Sequence, residues 1–124
     1  MQESTFRIII RPDNIGVIIV DDTSEATLRH WYDFSIADMN TYTQPVKRLY
    51  DMRNLDTMSL QAVRTAIKVR KHPNADLIYS AILTSNNTVS ALVNVALSVQ
   101  AGGHFQLFTE EDLAIAWLHQ KVPD

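Results

Sequence analysis

The sequence has 124 residues, 46% of them hydrophobic and 20% charged, which is the balance of a single globular domain covering residues 1–124. The formal net charge of −3 gives no electrostatic reason to expect nucleic acid, and the lack of cysteine excludes disulfides, thiolate catalysis and cysteine metal sites. No apolar run approaches the roughly 18 residues of a membrane span, and the first residues lack the pattern of a signal peptide, so we expect a cytoplasmic protein with no membrane span.

The first segments predict a β-hairpin followed by a helix. Two short apolar runs, residues 6–11 and 17–20, flank turn-forming residues 12–16, as in a pair of antiparallel strands. Aspartate and threonine in residues 21–25 can cap the helix that follows. The inner stripe of this helix is predicted to contain Leu28, Trp31, Tyr32, Ser35, Met39 and Tyr42. Phe34 projects off that stripe, and we interpret it as a candidate for a partner surface.

The most informative stretch is residues 48–70, which predicts a strand, a polar loop and a helix. Residues 49–52 are short, apolar and partly aromatic, whereas residues 53–56 form turns. The packed face of the helix is predicted to contain Leu60, Val63 and Ile67, and its exposed face Gln61, Arg64, Lys68 and Lys71. Residues 53–59, here called the rim loop, therefore follow a strand and precede a helix, where open α/β sheets bind ligands.

The remaining segments continue the alternation. Residues 77–83 are almost continuously apolar, which is typical of a parallel strand buried on both faces, and the polar residues 84–88 can cap a helix. The next helix, residues 89–100, is apolar around most of its circumference, and its polar edge contains Ser90, Asn94 and Ser98. Such a helix needs cover on more than one side, which a neighbouring helix or a second copy of the chain can supply.

The end of the chain adds one more strand and one more helix. Residues 104–108 form the strand, and Thr109 with Asp112 three residues later matches the capping pattern of the last helix. The order is thus β-β-α-β-α-β-α-β-α. It predicts an α/β fold with a mostly parallel sheet of four to five strands, an antiparallel edge strand and about four helices.

Two families share features with this order. Asp21, Asp22 and Asp51 resemble the acidic residues of a receiver domain, but residues 104–111 contain no lysine and the spacing from Asp21 to Asp51 holds one helix instead of two. The order resembles the SpoIIAA-like fold much better, over nearly the whole chain, and the closing HFQLFTEEDLAIAWL is similar to the end of many little-characterised bacterial members. That fold is shared with STAS domains, the anti-sigma-factor antagonists.

The resemblance places a regulatory site in the rim loop. STAS antagonists carry Asp-Ser-Ser-Gly-Leu before the second helix, and a partner kinase phosphorylates the first serine; the matching stretch here is DTMSL, residues 56–60, without the glycine. A phosphate on Thr57 would meet helix amides, and Arg53 could pair with it. The alternative is that Thr57 or Ser59 caps the helix. The regulatory or anion-binding candidates are Arg53, Asp56, Thr57 and Ser59.

We find no catalytic residues, metal ligands or cofactor motif in the sequence, because the four histidines are far apart and nucleophile and glycine-rich patterns are missing. The basic set Arg64, Lys68, Arg70 and Lys71 is interpreted as a solvated face. We therefore expect a non-enzymatic interaction or regulatory module that binds a protein partner through the rim loop and a helical face. A homodimer is plausible, with Phe34 and Val95 as interface candidates. The alternative is a carrier that holds a small apolar molecule or lipid in a groove beside helix 89–100.

Overall fold

The computed structural model describes residues 3–123, and its elements follow the predicted order. The strands are β1 (Arg7–Ile10), β2 (Gly16–Ile19), β3 (Val46–Asp51), β4 (Ile78–Leu83) and β5 (His104–Phe108). The helices are α1 (Glu25–Met39), α2 (Leu60–Arg70), α3 (Asn87–Ser98) and α4 (Glu111–Lys121), with a short 3₁₀ turn at Ala75–Leu77 before β4. None of these helices, within residues 3–123, is long and apolar enough to cross a membrane.

The strands form one sheet in the order β1-β2-β3-β4-β5. β1 and β2 are antiparallel, and each later strand pairs in parallel with the strand before it. This confirms the predicted α/β class, including the antiparallel edge strand. Because β2, β3 and β4 run in the same direction, the loops that follow them meet at one edge of the sheet, and the rim loop is the middle one of these three.

The two faces of the sheet are covered unequally. On one face, buried residues of β4 pack against α1, α2 and α3, as Ile78 does against Met39 and Val69, and Ile82 against Val93. On the other face, α4 is the one described helix that covers the central strands, and its Ala114 and Leu118 pack on Leu49, Ala81 and Leu83. A cavity in the core is therefore expected on the face covered by three helices, because side chains from three helices and the sheet must pack together there.

The edge strand β1 is only partly covered. Ile9 and Ile10 are 55% and 63% exposed. Charged residues stand at both ends of the run: Arg7 pairs with Asp21 at 2.9 Å, and Arg11 pairs with Asp13 at 3.1 Å.

Several local predictions need correction. The N-cap of α1 is Ser24, whose hydroxyl accepts a hydrogen bond from the Thr27 amide, because Asp22 is engaged by the Ser24 and Thr27 hydroxyls. Helix α1 ends at Met39, so Tyr42 lies beyond it. The N-cap of α4 is Glu110, which makes no side-chain capping bond, so Thr109 does not cap this helix.

The interface candidate Phe34 is half-buried, because its ring packs against Phe6 with 5.2 Å between the ring centroids. Phe34 is therefore not a lone exposed ring, and its role as an interface residue stays a prediction. Val95 is 54% exposed on α3, so its role as an interface residue stays a prediction.

The packed face of α2 also differs from the predicted one. Leu60 is 62% exposed, whereas Ala62, Val63, Val69 and Arg70 are buried. Arg70, assigned to a solvated basic face, is only 8% exposed. The difference arises because α2 contacts both α1 and α3, so its buried arc is wider than the single stripe that the periodicity predicts.

Candidate functional site

The rim loop lies at the predicted edge of the sheet, between β3 and α2. Arg53, Asn54, Asp56 and Thr57 are exposed, as the position after a strand predicts. Leu55 is the exception, since it is 3% exposed and packs in the cluster with Met52, Ile82 and α3 residues. One buried side chain thus anchors a loop whose polar side chains face outward.

Hydrogen bonds hold the rim loop to the loop that follows β4. The Ser85 hydroxyl donates to the Arg53 carbonyl at 2.6 Å, and the Asn86 side-chain amide donates to the Leu55 carbonyl at 2.8 Å. Backbone donors of the rim loop are also engaged, because the Leu55 amide donates to the Met52 carbonyl at 3.1 Å. The loop is therefore a fixed surface, and several of its amides are already engaged by hydrogen bonds within the chain.

The other side of the rim loop is held by hydrogen bonds to the loop that follows β2. The Asn54 side-chain amide donates to Asp21 at 2.9 Å. The Ser59 amide donates to the Thr23 hydroxyl at 3.3 Å. These bonds bring the ends of β2 and β3 together, so Thr23 lies directly beside the start of α2.

Arg53 is occupied by carboxylates of its own chain. Its guanidinium donates to both oxygens of Asp51, at 3.0 and 2.9 Å, and lies 3.6 Å from Glu111. The hydrogen bond from Arg53 holds the pKa of the Asp51 carboxyl below its usual value, and the same bond raises the pKa of Arg53. An anion at the rim loop would have to compete with these partners for Arg53.

Ser59, not Thr57, caps α2. The Ser59 hydroxyl accepts a hydrogen bond from the Ala62 amide at 3.1 Å. Thr57 is exposed and stands two residues before the cap, so a phosphate there would lie outside the first helical turn. Asp56 is also exposed. Of the four regulatory candidates, the structure thus gives Ser59 a capping bond and Arg53 a carboxylate partner.

An apolar cavity of about 100 Å³ lies between the sheet and the three helices on its more heavily covered face. Its wall is almost entirely apolar. Strands and all three helices contribute to it, among them Tyr50, Ile82, Trp31, Ala66 and Val93. One end reaches the loops at the sheet edge through Thr23 and Met58, and the other end reaches Arg70 and Phe105.

The cavity does not use the polar edge of α3 that the sequence suggested. Its α3 residues are Val93, Ala96 and Leu97. Ser90 instead donates to the Asn86 carbonyl at 3.0 Å, while Asn94 and Ser98 are exposed. Sequence reasoning therefore missed the residues that line the cavity, because their only common signal is the recurrence of small and apolar side chains on three separate helices.

The cavity residue Trp31 is held in place by Tyr50 of β3. Its indole N–H donates to the Tyr50 hydroxyl at 3.3 Å, and the two rings meet edge to face. Burial raises the pKa of the Tyr50 hydroxyl, so this group stays neutral and can accept the bond from Trp31. The indole ring consequently forms a fixed part of the cavity wall.

The histidines lie apart and have different neighbours. His30 bonds to the Ser4 hydroxyl, His72 to the Asn40 side chain, and His119 to Asp13, while His104 stacks on Tyr79. Among residues 3–123, no group of three or more histidine or acidic side chains is placed to hold a metal ion.

Comparison with known proteins agrees with this geometry. A family model described as SpoIIAA-like matches residues 15–119. The chain belongs to the SpoIIAA-like family. The structure is also similar to the crystal structure of an uncharacterized DUF3478-family protein with a SpoIIAA-like fold from Shewanella loihica, with a TM-score of 0.68 and 17% identity over 95% of each chain. No curated protein matches the sequence.

Membership confirms the resemblance drawn from the element order and the closing segment. For this SpoIIAA-like chain, the rim loop occupies the position at which the resemblance places the phosphorylated serine of STAS antagonists, and the cavity lies directly behind it. The two features share one end of the molecule, because Met58 of the rim loop contributes to the cavity wall.

Proposed function

We propose that this protein is a non-enzymatic binding module that holds a small apolar ligand between its sheet and helices α1 to α3. The observation that carries the proposal is the apolar cavity of about 100 Å³. Native cores have few voids larger than a water molecule. An apolar cavity of this kind binds water poorly, because it offers water no hydrogen-bonding partners, but it accepts apolar molecules.

An empty cavity of this size would destabilise the fold. Residual volume of an enclosed cavity costs about 24 cal/mol per Å³ in core substitutions, so about 100 Å³ corresponds to at most roughly 2 kcal/mol in this partly open cavity. Larger side chains at Ala62, Ala66 or Ala96 would remove this cost, since all three line the cavity. A ligand that fills the space removes the cost as well, which favours a binding role for these small residues.

Binding can be measured through Trp31, which lines the cavity. Trp117 packs against Phe108 on the other face of the sheet, so a Trp117→Phe background leaves Trp31 as the reporter. We expect 1-octanol to change the fluorescence of Trp31 in a saturable way. The substitution Ala66→Leu should fill the cavity and abolish this change.

The matched control is Ala91→Leu, because Ala91 is exposed on α3. This variant should bind 1-octanol as the background protein does. Absence of saturable binding in the background protein would refute the proposal, and so would unchanged binding by the Ala66→Leu variant.

A second candidate function is docking of a protein partner on the rim loop, and exposed Leu60 favours it. Leu60 is 62% exposed at the start of α2, and the exposed polar residues Asp56 and Thr57 precede it by four and three residues. An apolar anchor with a polar border is the arrangement of many interaction hot spots. Capture of a partner from native lysate should be lost with Leu60→Asp and altered by Thr57→Glu, at unchanged thermal stability. If both variants capture the partner as well as the unsubstituted protein does, this surface is excluded.

Self-association is the remaining form of the interaction proposal, and it uses the exposed side of α3. Val95 is 54% exposed there. Static light scattering at tens of micromolar should show a dimer that Val95→Asp converts to a monomer, whereas Asn94→Asp on the same helix leaves it intact. A strict monomer of the unsubstituted protein would exclude this contact. The proposed setting is the cytoplasm, which the lack of cysteine favours.

A further inference from the structure

We propose that the ligand is an anionic amphiphile with a single short chain, whose chain fills the apolar cavity and whose head lies in the groove between α1 and α2. This inference rests on the proposed function, since it identifies the class of ligand for the same cavity. Its basis is that Thr23 and Leu28 line both the polar groove and the apolar cavity, and that two cations of the groove have no carboxylate partner among residues 3–123.

The groove lies on the outer side of the cavity. Its volume is about 920 Å³, and it runs between the exposed sides of α1 and α2. Thr23 and Leu28 line the groove and also the cavity. A molecule that displaces the side chain of Leu28 would therefore extend from one space into the other, with an apolar part inside and a polar part outside.

The charged side chains of the groove favour an anionic head. Its acids are Glu25 and Asp33, and its cations are Arg29, Arg64 and Lys68. Arg29 is paired with Glu25 at 3.4 Å.

Arg64 and Lys68 are the cations left for a ligand. Within residues 3–123, neither has a carboxylate at ion-pair distance. Lys68 instead lies 4.7 Å above the centre of the Tyr32 ring. Both side chains are exposed on α2 one turn apart, so they face the same part of the groove and can approach one head group together.

The volume of the cavity limits the chain. One water-sized group needs at least about 10–15 Å³ of such space, so a cavity of about 100 Å³ accommodates about seven to ten such groups in a row or cluster. A chain of about eight carbons fits this limit, whereas the two long chains of a membrane lipid exceed it. Octanoate is accordingly a suitable probe, and 1-octanol is its neutral counterpart.

The test compares these two probes by Trp31 fluorescence in the Trp117→Phe background. We expect octanoate to bind in a saturable way, and the double substitution Arg64→Gln/Lys68→Gln to weaken it about fivefold to tenfold, as expected for two exposed ion pairs. Binding of 1-octanol should not change in the double variant. The control is Lys71→Gln, because Lys71 is exposed at the end of the same helix and outside the groove; it should bind octanoate with unchanged affinity.

The outcomes separate the two proposals. If 1-octanol binds but octanoate binding is independent of Arg64 and Lys68, the anionic ligand class is refuted and the apolar cavity site stands. If neither probe binds, both proposals are refuted. Co-sedimentation with phosphatidylglycerol vesicles that requires Arg64 and Lys68, without saturable octanoate binding, would overturn the single-chain ligand in favour of a bilayer surface.

Discussion

Replacing Arg70 by methionine should destabilise this protein more than replacing any exposed cation of α2. The Arg70 guanidinium leaves α2 and reaches the end of α3, where it donates hydrogen bonds to the backbone carbonyls of Ala96 at 2.8 Å, Val99 at 3.0 Å, Gly102 at 3.2 Å and Ala101 at 3.4 Å. Helix α3 has no basic residue in its last turn, so Arg70 supplies from another helix the cation that the C-terminal dipole favours.

The magnitude follows from this geometry. Methionine keeps much of the side-chain volume, so the loss reflects mainly the hydrogen bonds and the charge. A hydrogen bond that involves a charged group contributes about 1.5–3 kcal/mol, and each buried carbonyl left without a partner costs about 1–3 kcal/mol. These contributions overlap. Burial of the Arg70 guanidinium also has a desolvation cost, which lowers its pKa, and removing Arg70 recovers this cost. We therefore expect a net loss of about 3 kcal/mol in the free energy of unfolding.

Urea unfolding monitored by circular dichroism measures this free energy. In thermal unfolding, the same loss of about 3 kcal/mol corresponds to a fall of about 10 °C in Tm for a domain of this size. Lys71→Met, at the exposed end of α2, should change stability by less than about 0.5 kcal/mol. Arg70→Lys should give an intermediate loss, because lysine keeps the charge but lacks the planar fork of donors. Equal stability of the Arg70→Met and Lys71→Met variants would refute this role for Arg70.

Three further substitutions test the surroundings of the rim loop and β5. Asp51→Asn should lower the free energy of unfolding at pH 7 by less than about 1 kcal/mol, because the ion pair between Asp51 and Arg53 is partly exposed. Since the hydrogen bond from Arg53 lowers the folded pKa of Asp51, this contribution is present above the unfolded pKa and is lost as the pH falls through the folded pKa; urea titrations should show the two proteins converging in acid, and a constant difference would contradict the assignment. Ser59→Ala should cost about 1 kcal/mol through loss of the α2 cap, whereas Thr57→Ala should be neutral in the same assay; the reverse ranking would move the cap to Thr57. Gly103→Ala should lower Tm by several degrees, because Gly103 has a φ of +99° and an added Cβ would overlap the Phe105 ring; an unchanged Tm would show that this turn adapts.

The order of the elements could be predicted because each change of period is visible in the sequence. Alternating short apolar runs and amphipathic segments determine which parts are strands and which are helices. The position of the rim loop follows from that order alone. Its fixed geometry does not, since Ser85 and Asn86 reach it from 31 to 32 residues away.

The faces of α2 show where prediction from periodicity fails. A stripe through Leu60, Val63 and Ile67 assumes one packing partner, but α2 lies between α1 and α3. Arg70 is buried because its partners are backbone carbonyls of another helix, and backbone groups carry no mark in the sequence. A basic residue near the end of a helix is therefore compatible with solvation and with burial alike.

The cavity could not be predicted for a similar reason. Ala62, Ala66 and Ala96 line it from two helices, and each alanine by itself is an ordinary helix residue. The space between them depends on how far apart the helices lie, which neither composition nor spacing encodes.

The exposed strand at the end of the sheet has a consequence for how the protein avoids polymerisation. A second molecule adding its own β1 in antiparallel register around Ile9 would bring Arg7 of one copy opposite Arg11 of the other, at both ends of the new ladder. Cations in such places oppose edge-to-edge growth of a sheet. The two arginines thus oppose fibre growth from the three consecutive isoleucines at the border of the molecule.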